Sequence, residues 1–573
     1  MLHVPGTERL SVETAAEALL ALLRRRGIEY LFANAGTDFP AIIEAYARQP
    51  QSGLALPRAL AVPHENAAIA MAHGHWLGSG RMQAAMVHVS VGIANALCGL
   101  LNAARENVPL FFMAGRTPIT EDGDIASRDV SIHWGQEMFD QAAMLREAVR
   151  FDYELRTVSQ LVTLIDRAMA LGNGDPAGPV YIGLPREVLG ETISGLDIPA
   201  RSRISPVRLR GADPALIEET AQLIAAAERP LIITSRAGRD PAAVAALAAF
   251  AERTAIAVVE YRANYMNLPD DHPMHAGFDL GPDFAAHDLV LVLDCIAPWL
   301  PARHMAPAAP VVMIGPDPLA ADIPIRGFPA DIALACHVAP ALAALSQALE
   351  PWLTDHADAI AARRARLEAV HRERRVAMRA RLLPPAKDGR LTPAYASTRI
   401  AAAIGPEALI VNEIGCVRPL MERSRPGSFF GPSNAGGLGW GLPASLGLKL
   451  ARPEALVVAT IGDGSMMFAN PVACHQVAAA ENIATLSIVF NNRRWNAVKT
   501  ATASVYPDGH AMRANRVPLT ALDPSPAFER IIAACGGHGE AVHEAAALDA
   551  ALARAIHEVR AGRPALLNLL VEE

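Results

Sequence analysis

The stretch that decides the fold is Leu456-Val457-Val458-Ala459-Thr460-Ile461-Gly462-Asp463-Gly464-Ser465. Its first six residues are apolar or β-branched, which predicts a strand buried on both faces of a parallel sheet. The glycines that follow let the backbone turn tightly and come close to a ligand. Asp463 therefore stands where the strand ends, and open α/β sheets bind their ligands at this edge.

A second apolar run, 484–490, ends at Asn491-Asn492-Arg493-Arg494. A carboxylate oxygen from one strand end and an amide oxygen from a neighbouring strand end form a hard-oxygen site that suits Mg²⁺. Mg²⁺ keeps several positions for water or phosphate oxygens, so a diphosphate could complete its shell. A Gly-Asp-Gly triplet alone is common in strand–turn–helix units, but the paired asparagines after a second strand favour the metal-bound diphosphate.

These two motifs together resemble the signature of thiamine-diphosphate-dependent enzymes. Gly462-Asp463-Gly464 is followed by 26 residues and then by Asn491-Asn492. The whole chain resembles one subgroup, which contains benzoylformate decarboxylase, acetolactate synthase and benzaldehyde lyase. The resemblance implies thiamine diphosphate and Mg²⁺ as cofactors, and an α/β fold of three consecutive doubly wound parallel-sheet domains.

The order of helical patterns and short apolar runs also indicates βαβ units in three segments. We expect an N-terminal pyrimidine-binding domain at 1–186, a central domain at 205–345, a charged linker helix within 346–389, and a diphosphate-binding domain at 390–573. The apolar runs that predict strands are 30–33, 84–89, 110–114, 180–182, 230–234, 255–259, 289–293, 311–314, 409–411, 456–461, 484–490 and 565–571. The Pro- and Gly-rich passage 185–214 predicts a linker.

Composition argues against several other classes of protein. A chain of 573 residues is too long for one core. Its net charge of −8 gives no reason to expect nucleic acid or an anionic membrane as a partner. The six scattered cysteines form no Cys-x-x-Cys pair, so neither a zinc site nor a disulfide framework is indicated. With no signal-peptide pattern and no apolar run of membrane-spanning length, a soluble cytoplasmic protein is expected.

Glu65 is the first candidate catalytic residue. It opens a small-residue helix in Pro63-His64-Glu65-Asn66-Ala67-Ala68. By resemblance, Glu65 is the glutamate that bonds N1′ of the aminopyrimidine and thereby activates the cofactor. The alternative is a first-turn glutamate that complements the helix dipole.

The resemblance implies the remaining cofactor contacts. Asp463 and Asn492 supply side-chain oxygens to the metal, and Arg494 supplies its backbone carbonyl. Leu438 is the apolar wedge beneath the cofactor, and the Gly436 carbonyl accepts from its 4′-amino group. Further contacts are expected at Asn34, Gly415, Cys416, Gly462, Gly464, Ser465 and Trp495, although an ordinary core position is an equal alternative for Trp495.

Two residues indicate different reactions within the subgroup. His88 falls where benzoylformate decarboxylase carries an active-site histidine, and a histidine at a strand end suits proton relay. Asn34-Ala35-Gly36-Thr37 resembles the Asn-Pro-Gly-Ser loop of that enzyme, with Thr37 in place of the active-site serine. Gln136 instead resembles the active-site glutamine of acetolactate synthase and benzaldehyde lyase. Structural roles remain open for both: a core histidine for His88 and a turn cap for Gln136.

The resemblance therefore implies a 2-oxo acid decarboxylase and carboligase like benzoylformate decarboxylase. The alternatives are an acetolactate synthase-like enzyme or hydroxy-ketone lyase, which forms or cleaves C–C bonds, and an inactive homologue that retains the cofactor. A nicotinamide dehydrogenase is disfavoured, since no Gly-x-Gly-x-x-Gly loop follows a strand. In this family the glutamate of one subunit meets the diphosphate site of another, which implies at least a homodimer and usually a homotetramer. The turn at 235–240 does not resemble a flavin-binding loop, so FAD is not expected.

Overall fold

The computed structural model describes residues 6–382, 385, 388–514 and 517–572. These residues divide into two compact units. The first combines residues 6–207 with 432–541 and 555–568, and the second combines 208–431 with 542–554 and 569–572.

The N-terminal segment of the first unit is built around a parallel sheet. Its strands are β1 (Thr7–Leu10), β2 (Tyr30–Ala33), β3 (Arg58–Ala61), β4 (Gln83–Val87), β5 (Leu110–Arg116), β6 (Phe151–Glu154), β7 (Val180–Pro185) and β8 (Leu196–Pro199). Its helices are α1 (Ala15–Arg25), α2 (Pro40–Ser52), α3 (Glu65–Ser79), α4 (Val89–Arg105), α5 (Ile132–Gly135), α6 (Leu161–Gly172) and α7 (Arg186–Gly190). The six strands β2 to β7 pair in the order β3-β2-β4-β5-β7-β6, while β1 and β8 form an antiparallel pair.

Both faces of this sheet are buried. Successive side chains of a strand point to opposite faces, so neighbouring residues show the two cores. Phe111 packs in one apolar core and Phe112 in the other. The α3 and α4 side chains cover the Phe112 face, and the α1, α2 and α6 side chains cover the Phe111 face. Such two-sided burial explains why the central strands are continuous apolar runs.

The second unit contains another parallel sheet. Its strands are β9 (Pro230–Thr234), β10 (Ala257–Glu260), β11 (His275–Gly277), β12 (Leu289–Leu293), β13 (Val311–Gly315) and β14 (Ile332–Ala335), in the order β11-β10-β9-β12-β13-β14. The helices are α8 (Pro214–Ala226), α9 (Pro241–Thr254), α10 (Val338–Ala348), α11 (Glu350–Asp355), α12 (Ala357–Leu382) and α13 (Pro393–Ile404). A parallel pair of strands, β15 (Leu409–Glu413) and β16 (Phe429–Phe430), follows.

The C-terminal segment contains four further strands: β17 (Val457–Gly462), β18 (Leu486–Asn491), β19 (His538–Val542) and β20 (Ala565–Leu570). Its helices are α14 (Gly441–Ala451), α15 (Asp463–Phe468), α16 (Pro471–Ala480), α17 (Asn496–Val505), α18 (His510–Arg513), α19 (Phe528–Ala534) and α20 (Ala545–Arg560). The predicted fold class, three α/β segments with parallel sheets, is confirmed.

Three local expectations need correction or restriction. The run 84–89 ends as a strand at Val87, because His88 is already the N-cap of α4 and Val89 its first residue. The passage 185–214 is not a plain linker, since it contains α7 and β8. The charged linker expected within 346–389 contains the helix Ala357–Leu382, and residues 383, 384, 386 and 387 of that range lie outside the described residues.

Helices α3 and α14 pack closely within the first unit. An added Cβ at Gly74 of α3 would lie 1.9 Å from the Ala444 carbonyl oxygen, and one at Gly447 of α14 would lie 1.9 Å from the Met71 carbonyl oxygen. Only glycine allows this approach of two helix backbones. In the part of the chain that the structure describes, no helix has both the length and the apolar character needed to cross a lipid bilayer.

Candidate active site

The carboxyl edge of the first sheet collects the predicted catalytic residues of the N-terminal segment. Strands β3, β2 and β4 are neighbours in the sheet. Glu65 follows β3 at the start of α3, Thr37 follows β2, and His88 follows β4 directly. Parallel strands place their carboxyl ends at one edge, which is where ligands of such sheets bind.

His88 lies between a carboxylate and an amide. Its Nδ1 atom lies 2.6 Å from Oδ1 of Asp38, and its Nε2 atom lies 3.1 Å from Nε2 of Gln136. Gln136 is held in turn by its carbonyl oxygen, which accepts a hydrogen bond from Ser90 Oγ at 3.1 Å. The two residues that indicated different reactions, His88 and Gln136, are thus direct hydrogen-bonding partners.

The other predicted residues of this edge differ in their surroundings. Glu65 is half-buried, and its Oε2 accepts a hydrogen bond from the exposed Asn95 at 3.1 Å. Asn34 donates to the Val62 carbonyl oxygen at 3.0 Å, which ties the end of β2 to the end of β3. Thr37 is exposed, and the buried neighbour Asp38 makes the contact with His88.

The glycine-rich loop before α14 is fixed by α4. Asn102 accepts from the Gly437 N–H at 3.0 Å and donates to the Gly437 carbonyl oxygen at 2.8 Å. Gly436 has a φ of +69°, a left-handed conformation that favours glycine, and is exposed. Leu438 is half-buried beside it. An ordered, partly exposed loop of this kind is suited to contact a ligand through its backbone.

Asp463 has the surroundings expected of a metal ligand. It is buried and begins α15, and its Oδ1 accepts from the Gly464 N–H at 2.8 Å. Its Oδ2 is buried and has no hydrogen-bond partner among the described residues. Burial raises the pKa of the Asp463 carboxyl. A buried carboxylate oxygen without a partner is costly unless a cation or a proton compensates it, so this atom fits a bound cation.

The paired asparagines after β18 have separate environments. Asn491 is structural, because its Nδ2 donates to Ser525 Oγ at 2.8 Å and to Asn568 Oδ1 at 3.1 Å. Asn492 is half-buried, and its Oδ1 accepts from the Arg494 N–H at 3.1 Å. Since β17 and β18 are paired with Gly462 opposite Phe490, the turns carrying Asp463 and Asn492 leave adjacent strand ends.

Trp495 packs against the Asp463 turn. An added Cβ at Gly464 would lie 2.1 Å from Cζ3 of the Trp495 ring, so the indole covers the bare backbone of that glycine. Ser465 is buried on the next residue of α15. The structure therefore brings together the predicted contacts Gly462, Asp463, Gly464, Ser465, Asn492, Arg494 and Trp495.

The predicted diphosphate contacts Gly415 and Cys416 belong to the second unit. Their N–H groups both donate to Asn412 Oδ1, at 3.1 and 3.0 Å. Ile414, immediately before them, has a φ of +57° and is exposed. A β-branched residue in the left-handed region is strained, which is typical of functional turns.

Comparison with known proteins identifies the family. Three family models match the chain: Thiamine pyrophosphate enzyme, N-terminal TPP binding domain, at residues 13–144; the central domain at 217–345; and the C-terminal TPP binding domain at 413–569. The chain belongs to the thiamine pyrophosphate enzyme family.

Individual relatives of this family member have different activities. Sulfoacetaldehyde acetyltransferase of Rhodobacter capsulatus is 27% identical over 98% of this chain and 94% of that protein. Benzoylformate decarboxylase of Pseudomonas aeruginosa is 26% identical over 85% of this chain and 88% of that protein. Among solved structures, the 4-hydroxybenzoylformate decarboxylase of Rhodococcus jostii RHA1 has a TM-score of 0.77 and 21% identity, covering 98% of this chain and 99% of that chain. This structural likeness supports the fold.

One polar residue of the site, Asp38, was not predicted from the sequence. Asp38 is 2% exposed and contacts His88, yet the motif that drew attention to this loop ended at Thr37. A signal was present, since an aspartate that lies between a strand end and a helix is a candidate N-cap or site residue. In the structure the N-cap of α2 is Phe39, and Asp38 precedes it.

The corresponding edge of the central sheet is occupied by ion pairs. Arg236 and Arg239 each donate to one oxygen of Asp294, both at 2.8 Å. The adjacent cavity measures about 10 Å³. That FAD is not a cofactor of this family member stays a prediction.

Proposed function

We propose that this thiamine pyrophosphate enzyme is a Mg²⁺-dependent 2-oxo acid decarboxylase with carboligase activity. The observation that carries the proposal is the position of His88, which lies at the same sheet edge as Glu65 and is hydrogen-bonded on both ring nitrogens. A histidine held in this way is suited to deliver a proton to a carbon centre.

The residues of the C-terminal segment support cofactor binding through Mg²⁺. Asp463 offers a buried oxygen without a partner, and Asn492 offers an amide oxygen from the next strand end. In the proposal, Asp463, Asn492 and the Arg494 carbonyl hold the cation, and the turn at Gly462 to Ser465 receives the diphosphate. Gly415, Cys416, Gly436, Leu438 and Asn34 remain proposed contacts by resemblance. When bound, thiamine diphosphate supplies a nucleophilic carbon and an electron sink for the bond to departing CO₂.

Four side chains of the N-terminal segment have roles in this proposal. Glu65 would accept a hydrogen bond from the aminopyrimidine of the bound cofactor. His88 would hold the proton that the carbon losing CO₂ needs if the product is to be an aldehyde. Gln136 orients the His88 ring through its bond to Nε2. Thr37 is exposed next to this edge and is available to a substrate carboxylate.

The proposed active form is at least a homodimer, and a homotetramer is the usual assembly of the family. In support, apolar side chains stand exposed near both halves of the site: Val91 just after His88, and Phe468 and Val472 after Asp463. A partner subunit that covered these side chains would remove their apolar surface from water, which favours association. A partner subunit over this region would also remove water from the half-buried Glu65. The proposed location is the cytoplasm.

A second candidate function is C–C bond formation or cleavage between carbonyl compounds, as in acetolactate synthase and hydroxy-ketone lyases. The direct bond between Gln136 and His88 favours it, because Gln136 is the residue that resembles those enzymes. The similarity to a sulfoacetaldehyde acetyltransferase also adds a two-carbon carbonyl compound to the substrates worth testing.

The deciding experiment is a product analysis of the purified protein with thiamine diphosphate and Mg²⁺. Benzoylformate, pyruvate, longer 2-oxo acids and sulfoacetaldehyde are supplied singly and in pairs, and products are identified by mass spectrometry. Release of CO₂ with an aldehyde supports the first proposal, and a 2-hydroxy ketone or acetohydroxy acid supports the second. If the wild-type protein shows neither turnover nor C2 proton exchange of the bound cofactor, the inactive homologue is the correct description. The Glu65→Gln variant should bind the cofactor and lose that exchange.

A further inference from the structure

The Asp38 carboxylate holds two neighbouring groups at once. Its Oδ1 lies 2.6 Å from His88 Nδ1, and its Oδ2 accepts the Val89 N–H at 3.2 Å. The side chain is 2% exposed, so water does not compete for either bond. Asp38 thus fixes both the imidazole ring and the peptide that joins His88 to α4.

That peptide adopts an unusual conformation. Val89 has a φ of +30°, although β-branched residues rarely leave negative φ. Strained backbone of this kind persists only where surrounding contacts enforce it, and it is typical of functional sites. The bond from the Val89 N–H to Asp38 is one of those contacts, and it sets the direction in which the His88 side chain leaves the strand.

Two glycines make room for the pair. An added Cβ at Gly36 would lie 2.3 Å from His88 Cγ, and one at Gly115 would lie 1.8 Å from Asp38 Oδ2. A side chain at either position would occupy the space of His88 or of Asp38. The two glycines therefore allow both groups to lie close against the neighbouring backbone.

The hydrogen bonds determine which ring nitrogen carries the proton. A carboxylate only accepts, so the Nδ1 of His88 must donate to Asp38. In a neutral imidazole the Nε2 lone pair then faces Gln136, whose amide N–H donates to it across 3.1 Å. The Gln136 Oε1 is buried and has no hydrogen-bond partner among the described residues. Rotation of this amide by half a turn would let Oε1 accept from a protonated Nε2, so Gln136 can serve both protonation states.

We propose that Asp38 is a positioning residue that fixes His88 in the Nδ1–H tautomer, so that Nε2 is the atom that takes up and delivers protons at the site. The inference rests on the proposed function, because Asp38 acts only through His88. Of the charged groups around His88, Asp38 is in contact with the ring and His133 lies within electrostatic range.

The Asp38→Asn variant distinguishes this role from a purely structural one. The Val89 N–H still needs an acceptor, so the asparagine oxygen is expected to face Val89 and its NH₂ group to face His88. The Nδ1 of His88 must then accept, which moves the ring proton to Nε2. Asp38→Asn should therefore invert the tautomer of His88, whereas Asp38→Ala should leave a mixture.

The measurement is ¹⁵N solid-state NMR of histidine-labelled full-length protein, with His88→Gln used to assign the signals of His88. Kinetics with the 2-oxo acid that turns over best accompany it. We expect Asp38→Asn to exchange the Nδ1 and Nε2 chemical shifts of His88. The variant should also lower kcat by about 100-fold, because general acid–base catalysis contributes about 10²–10⁴-fold to the rate. Its KM should change by less than about threefold. The matched control is Asp197→Asn, which removes an exposed carboxylate paired with Arg9 and should change neither.

The two levels of the proposal fail separately. If the wild type turns over no 2-oxo acid but Asp38→Asn still inverts the tautomer, the proposed function is wrong and the positioning role stands. If the wild type turns over and Asp38→Asn keeps both the Nδ1–H tautomer and the kcat, the positioning role is wrong. A variant that instead loses the cofactor-induced rise in melting temperature would assign Asp38 a structural role and overturn the inference.

Discussion

Replacing Gly74 by alanine tests whether the α3–α14 contact holds the N- and C-terminal segments of the first unit together. Gly74 lies inside α3, and an added Cβ would meet the Ala444 carbonyl oxygen of α14 at 1.9 Å. Two opposing effects set the sign of the result. In an unobstructed helix the substitution stabilises by about 1 kcal/mol, because alanine has the higher helix propensity.

The steric effect should exceed that gain. Overpacking a buried site costs about 1–3 kcal/mol, and it costs most where the obstructing atom cannot rotate away. The obstructing atom here is a backbone carbonyl, so we expect a cost at or above the upper end of this range. The net loss is then about 2 kcal/mol, which corresponds to a fall in melting temperature of about 3 °C for a unit of this size, since the unfolding entropy is about 2.1 cal/mol/K per residue.

The assay is thermal unfolding of the cofactor-free protein, followed by calorimetry. Gly447→Ala is the reciprocal variant, with its Cβ 1.9 Å from the Met71 carbonyl oxygen, and should fall equally. Gly78→Ala is the graded control, because its Cβ would meet only side-chain atoms, those of Ala451 at 2.7 Å and Leu448 at 2.9 Å. A melting temperature of Gly74→Ala above that of the wild type would refute the reasoning, since helix propensity alone would then account for the change.

Three further outcomes follow from the site and its surroundings. Asp463→Ala removes the buried oxygen without a partner, so the Mg²⁺-dependent rise in melting temperature on adding thiamine diphosphate should vanish without loss of apo stability. Burial lowers the pKa of His73 to about 3, against about 6.5 in an unfolded chain. Between pH 6.5 and about 3 the unfolded state therefore binds a proton that the folded state does not bind, and the protein loses stability as the pH falls through this range. His73→Phe should make the melting temperature less dependent on pH in the same range. Gly36→Ala places its Cβ 2.3 Å from His88 Cγ and should lower kcat while the cofactor-induced thermal shift is retained.

The strands that the sequence predicted and those that it missed differ in burial. Every predicted strand corresponds to an observed one, with bounds that differ by a few residues. The missed parallel strands are β3, β6, β11, β14, β16 and β19, which are the short strands at sheet margins. The burial of β3 and β6 shows the reason, since three of four β3 residues are exposed and all β6 residues are half-buried. A strand covered on one side has no continuous apolar run, and four residues are too few to reveal an alternation.

The sequence placed Asp463 at a strand end and so predicted it as a metal ligand. That role stays a prediction, which the raised pKa of its carboxyl and its buried oxygen without a partner support. The sequence could not separate Asn491 from Asn492, because only the fold places Ser525 and Asn568 against the first of them.

The contact between Asp38 and His88 could not be predicted for a related reason. His88 lies 50 residues away from Asp38 and is brought to it by the pairing of β2 with β4. The resemblance drew attention to Thr37, and a shift of one residue along a loop exchanges an exposed side chain for a buried one. Contacts of this kind depend on the register of neighbouring strands, which motif spacing does not contain.

The geometry also changes what the two reaction hypotheses mean. In the sequence, His88 favoured protonation of the reacting carbon, and Gln136 favoured C–C bond formation. The two residues therefore indicated two different reactions. The 3.1 Å contact makes them one hydrogen-bonded group, in which Gln136 bonds the ring nitrogen that we propose for proton transfer. The contact therefore supports both outcomes, and the identity of these two residues does not decide between them. Selection must depend on whether a proton from His88 or a second carbonyl compound reaches the carbon first, so the ratio of aldehyde to hydroxy ketone should rise as the acceptor concentration falls. A ratio that is independent of acceptor concentration would show that this competition does not occur.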